Sequence, residues 1–77
     1  MYNYTICDET NVFIFQKQCA VIEKHISPFE KDALLTDVDG TMIQKYRHDD
    51  VQIKVVNDVV TDTVYVESNK DIKNFFI

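Results

Sequence analysis

Seventy-seven residues with eight basic and thirteen acidic side chains give a net charge of −5 and a pI near 4.7. That length holds one domain, 1–77; ordering it costs on the order of 100 kcal/mol of conformational entropy, which a 45% hydrophobic composition can offset. The sign of the charge excludes a basic nucleic-acid binder, and the size leaves little room for a multi-motif enzyme.

Tyr2, Tyr4 and Ile6 alternate with Asn3, Thr5 and Cys7, the period-2 pattern of a half-buried strand. Asp8-Glu9-Thr10-Asn11 supplies helix caps, and Val12, Phe15, Cys19, Ile22 and Ile26 then recur at helical spacing. Val12-Phe13-Ile14-Phe15 favours strand by propensity, so a hairpin of 2–7 with 12–16 is the alternative to the long helix expected here. His25, beside Lys24, complements the dipole at the helix C-terminus. Ser27-Pro28-Phe29-Glu30 predicts a short second helix, with Ser as cap, Pro in the first turn and Glu three residues after the Ser.

Residues 33–38 and 41–46 flank Asp39-Gly40, which predicts a hairpin closed by a type I′ turn, the only Gly supplying a positive φ. Arg47-His48-Asp49-Asp50 reads as a polar loop, and Val51, Ile53 and Val55 as a strand with one wet face. Asn57-Asp58 is a turn candidate, and Val60, Val64 and Val66 mark a last strand. Asp62 falls on the apolar side of that strand, which requires an edge, a bulge or a function. Ile72, Phe75, Phe76 and Ile77 end the chain as an apolar tail. The expected fold is α+β: an antiparallel sheet of four to five strands with one helix packed on one face, in the order β-α-β-β-β-β. Short turns rule out the long crossovers of parallel pairing.

No apolar run reaches the roughly 18 residues of a membrane span. Met1–Asp8 lacks the basic and apolar regions of a signal peptide, so the expected location is cytoplasmic, with no membrane partner. Cys7 and Cys19 have no metal or disulfide patterning and read as reduced, largely buried thiols. Abundant Ile, Asn, Lys, Asp, Phe and Tyr point to an AT-rich coding sequence, such as that of a low-GC bacterium or one of its mobile elements.

Leu34-Leu35-Thr36-Asp37-Val38-Asp39-Gly40-Thr41 resembles the first motif of the haloacid-dehalogenase phosphatases over about eight residues. The resemblance implies Asp37 as nucleophile, Asp39 as general acid/base, a bridging Mg²⁺ and a parallel sheet with crossover helices. The 36 residues after Thr41 read as hairpins instead and carry none of the family's later motifs. Asp37, Asp39 and Gly40 also match part of a calcium loop, but Leu35 and Tyr46 stand where carboxylates are required. With no catalytic set and no cofactor implied, the leading expectation is a small acidic, non-enzymatic interaction protein. It would be a phage or mobile-element inhibitor of a larger host protein with a basic surface, with mimicry of nucleic-acid charge as a variant. The alternative is a small-ligand or metal-binding domain centred on residues 37–50; the phosphatase-like protein is third.

The net charge of residues 32–67 is −5, from eight acids and three bases. Asp49, Asp50, Asp58 and Asp62 are expected to project from one end of the sheet and steer a partner, with Tyr46 or Tyr65 as apolar anchor. Open sheet edges and the tail Phe75-Phe76-Ile77 add the expectation of a symmetric homodimer.

Overall fold

The N-terminal alternation forms β1 (Tyr2–Cys7) in the computed structural model, which describes residues 1–73. Asn11 then caps α1 (Val12–His25): its backbone is extended and its side chain accepts the Ile14 N–H at 3.1 Å. Helix prevails over strand at Val12–Phe15 because one stripe of Phe15, Cys19, Ile22 and Ile26 is buried together, outweighing local propensity. Phe13 is left facing outward and 82% exposed.

The remaining strands are β2 (Glu30–Lys31), β3 (Leu35–Thr36), β4 (Met42–His48), β5 (Val51–Asp58) and β6 (Thr63–Ser68). All pair antiparallel in the order β1-β6-β5-β4-β2, with β3 also on β4. β2 and β3 are two pieces of one edge strand. Glu30 opposes Arg47, Lys31 opposes Tyr46, and the Asp32 N–H reaches the Lys45 carbonyl at 3.1 Å. Beyond that point Leu35 opposes Ile43 and Thr36 opposes Met42, a slip of one residue that defines a bulge. Buried Gln44 covers the slip by donating its Nε2 to the Asp32 carbonyl at 2.5 Å. Six strands thus occupy five positions across the sheet, and the fold is the expected β-α-β-β-β-β arrangement with its helix on one face.

α1 packs over β5. The core between them joins Phe15, Cys19, Ile22 and Ile26 to Tyr46, Ile53, Val55, Val64, Val66 and Ile72. After β6 the chain is tied beneath β1: the Tyr4 hydroxyl donates to Asp71 at 2.8 Å and accepts the Ile72 N–H at 2.9 Å. Phe75, Phe76 and Ile77 lie outside the described residues.

Four local expectations are corrected. Ser27-Pro28 opens no helix; the bond is cis, and Glu30 leaves the capping position to pair with Arg47 across the β2–β4 ladder. The Asp39-Gly40 hairpin forms, but as a type I turn whose Gly40 (φ 94) supplies a bulge. The Gly40 N–H meets the Asp37 carbonyl at 3.0 Å and the Asp37 N–H meets Thr41 at 2.8 Å. Asn57 and Asp58 end β5 rather than turn, because Asn57 continues the buried phase of Ile53 and Val55. The turn is 59–62, so Val60 is exposed at its tip and Asp62 (φ 55) closes it before β6 begins.

His48 pairs directly with Val51, so Asp49-Asp50 alone connects β4 to β5, and Asp49 sits at φ 53. A non-glycine residue there costs roughly 1–2 kcal/mol, and glycine removes that cost while adding entropy to the unfolded chain. Asp49→Gly is therefore expected to stabilise the protein by about 0.5 kcal/mol. A urea midpoint that falls in the variant contradicts this.

Candidate functional site

The turns at 49–50 and 59–62 lie at opposite ends of the eight-residue β5, roughly 25 Å apart at the rise of an extended strand. Asp49 and Asp50 therefore share one end of the sheet, while Asp58 and Asp62 share the other. The four do not project together. Asp50 pairs with Lys70 at 3.4 Å, and its carbonyl accepts the Asn69 amide at 2.7 Å. Asp49 stands 3.7 Å from the His48 ring. At the far end Asp58 accepts the Val60 and Thr61 N–H groups at 3.0 and 3.4 Å, which shapes the turn. Asp62 accepts both the N–H and the hydroxyl of Thr10, at 3.0 and 3.2 Å, and so ties the turn to the loop before α1.

Tyr46 cannot anchor a partner, being 1% exposed beneath α1. Its hydroxyl donates to Glu23 at 2.6 Å, and Lys31 reaches the same carboxylate oxygen at 3.1 Å. The Tyr46 hydroxyl holds the Glu23 carboxyl below its ordinary range, and burial drives the Tyr46 phenol far above its own. Burial also raises the neighbouring Cys19 thiol, which keeps it protonated and a weak nucleophile. Cys19, Glu23 and Lys31 line a cleft of about 260 Å³ between α1 and the bulged edge, together with Leu34 and Met42.

Residues 37–50 are likewise spread along the length of β4, with Asp37 and Asp39 at one end and Asp49 and Asp50 at the other. Asp37 and Asp39 accept the Val38 and Thr41 N–H groups at 2.7 and 2.9 Å, within the hairpin turn. The wholly antiparallel sheet differs from the parallel one that the phosphatase resemblance implies. Among the described residues no three His, Cys, Asp or Glu side chains converge on one point.

The surface that does bring residues together is the sheet face away from α1. Register places Thr5, Tyr65, Val56, Ile43 and Leu35 side by side across the sheet, with Val56 itself buried and its neighbours half-buried or exposed. Tyr65, half-buried there, has its hydroxyl pushed up first by burial and then by Glu67. The adjacent row runs Asn3, Glu67, Lys54 and Lys45, with Lys54 on Glu67 at 3.1 Å. Arg47 follows, held by Glu30 and Asp32 at 3.2 Å each, and a groove of about 320 Å³ lies over these charges. At the other end of the face stand the tips of two hairpins, where Val38 is fully exposed and Val60 is 82% exposed. The Val59 N–H donates to the Thr41 hydroxyl at 3.1 Å and joins those tips.

This row carried a signal in the sequence. Ile43, Val56 and Tyr65 fall in the opposite phase to the core residues of their strands, and only cross-strand register shows that they adjoin. The buried amide of Asn57, which accepts the Asn11 N–H at 3.0 Å, was masked by the turn propensity of Asn-Asp.

No protein-family model, no curated protein and no solved structure matches the chain. Among the described residues no helix is long and apolar enough to cross a membrane.

Proposed function

We propose that the chain is a non-enzymatic interaction protein that docks its helix-free sheet face and adjoining hairpin tips on a larger protein with a basic surface, as an inhibitor or adaptor does. One observation carries this reading: exposed Leu35 and half-buried Ile43 and Tyr65, in one row with buried Val56, end beside the exposed valines 38, 59 and 60, on a protein of net charge −5. Apolar surface gathered at one place supplies adhesion, and excess negative charge supplies attraction over a Debye length. The AT-rich coding bias supports a mobile-element source.

The sorting of the acids refines the steering role. Asp58 flanks the exposed valines, Asp62 is engaged by Thr10, and Asp49 and Asp50 lie at the remote end. With a partner obtained by affinity capture, Val38→Asp together with Val60→Asp is expected to weaken binding at least tenfold through faster dissociation, with the fold retained by circular dichroism. Asp58→Asn keeps the oxygen that shapes the turn, so it is expected to slow association and flatten its salt dependence. Asp49→Asn with Asp50→Asn is expected to have the smaller effect. Binding that is indifferent to both the valine pair and the salt concentration would defeat the proposal.

A further inference from the structure

Cations crowd one spot on this acidic chain. Lys45 and Lys54 oppose each other across β4 and β5, on the sheet face away from α1. Backbone hydrogen bonding fixes how close they come. The Lys45 carbonyl accepts the Asp32 N–H at 3.1 Å on its β2 side. A strand residue points its N–H and its carbonyl to the same side. Toward β5, Lys45 and Lys54 are therefore a non-hydrogen-bonded pair, the kind whose side chains lie closest. Like charges so placed destabilise a sheet. The acids on either side do not relieve Lys45: Glu67 is drawn to Lys54 at 3.1 Å and Asp32 to Arg47 at 3.2 Å. Among the described residues, Lys45 is the one strand lysine or arginine without an ion pair.

We propose that this spot binds a small phosphorylated ligand, its phosphate held between Lys45 and Lys54 and its body lying along the groove of about 320 Å³ toward Arg47 and Gln52. That volume is at the lower end for small-molecule sites. The groove has donors to spare. Glu30 and Asp32 both use one nitrogen of Arg47, Nη2, which leaves its Nε and Nη1 N–H groups for a ligand. Lys45 offers three ammonium N–H groups, and the exposed Gln52 side chain offers an amide. Three cations line the groove against two acids, Asp32 and Glu67, a local surplus of positive charge on a chain of net charge −5. A phosphate monoester fits better than a carboxylate, because its second charge and third oxygen answer the second lysine. The free protein carries a Lys45–Lys54 repulsion that such a ligand removes. The groove shares a sheet face with the docking surface proposed above but lies toward the β4–β5 turn. Its test needs no partner protein, so the two readings stand or fall separately.

The test is titration of the isotope-labelled full chain with inorganic phosphate, followed by amide chemical shifts. Slightly alkaline pH keeps the phosphate mostly a dianion, and sodium chloride holds the ionic strength constant. Saturating shifts are expected at the Lys45, Arg47, Gln52 and Lys54 amides with one common dissociation constant, and acetate is expected to bind more weakly. Lys45→Gln is expected to weaken phosphate binding about tenfold, the effect of losing one charge-assisted hydrogen bond. Lys17→Gln, at an exposed position of α1, is expected to leave it unchanged. Lys45→Glu sets unlike charges in opposition, so it is expected to raise the unfolding temperature of the free protein while abolishing binding. Shifts that never saturate, that spread evenly over the surface lysines or that survive Lys45→Gln overturn the proposal. Acetate that binds as tightly as phosphate overturns it too.

Discussion

Tyr46→Ala is expected to remove about 3–5 kcal/mol of stability, the range for truncating a buried aromatic residue. A 77-residue domain has only about 4–12 kcal/mol in total, so the loss is expected to take from about a quarter to all of the margin. The ring lies 5.5 Å from Phe29 in an edge-to-face arrangement, with Lys31 over it at 5.9 Å. Its hydroxyl supplies Glu23 with the shortest hydrogen bond linking α1 to the sheet. Tyr46→Phe separates the two contributions, keeping the packing and losing about 1 kcal/mol with the hydrogen bond. It also alters the response to acid. A carboxyl whose folded pKa lies below its unfolded value of about 4.5 stabilises the fold above that pH, and the contribution is lost as pH falls through the folded pKa. The phenylalanine variant is therefore expected to lose less stability than wild type between neutral pH and the acid side of 4.5. Denaturant titrations at several pH values check this; parallel pH profiles would remove the Tyr46–Glu23 bond from the account.

Asn57→Leu is expected to cost about 1–3 kcal/mol although it exchanges a polar side chain for an apolar one of similar size in a buried position. The Asn57 carbonyl oxygen takes the N–H of Asn11, and the Asn11 side chain in turn caps α1. Leucine fills the space and leaves that donor without an acceptor at the point where the helix begins. Asn57→Asp preserves an acceptor beside the positive end of the helix dipole and is expected to lose less. Thermal unfolding that ranks the leucine variant at or above the aspartate variant would mean that the site tolerates an orphaned donor, which buried amides rarely do.

Much of the fold is visible in periodicity alone. The stripe Phe15, Cys19, Ile22 and Ile26 and the alternation Val51, Ile53 and Val55 report burial directly, so helix and central strand follow from spacing. The errors cluster where one residue type serves two environments. Asn-Asp at 57–58 has turn chemistry, yet Asn57 is buried at the helix cap; Asp62 looks misplaced on a strand until the turn that contains it is seen. Tyr46 reads equally as an anchor or as core, because its ring and hydroxyl suit both; only its burial and the bond of its hydroxyl to Glu23 of α1 decide. The acids were grouped by their distance along the chain. An antiparallel strand reverses direction at each turn, so neighbouring hairpin tips fall at opposite ends of the sheet.

The link between the start of α1 and the β5–β6 hairpin also orders events in time. Thr10 and Asn11 are held by Asp62 and Asn57, and β1 is held by β6, so the first third of the chain depends on the last. During synthesis the helix emerges with Phe15 and Ile22 uncovered, and Val64, Val66 and Ile72 arrive only as the described chain nears completion. Closing such distant pairs is slow and leaves apolar surface open meanwhile. A ribosome-bound chain halted before Val64 is thus a sticky, unfinished molecule.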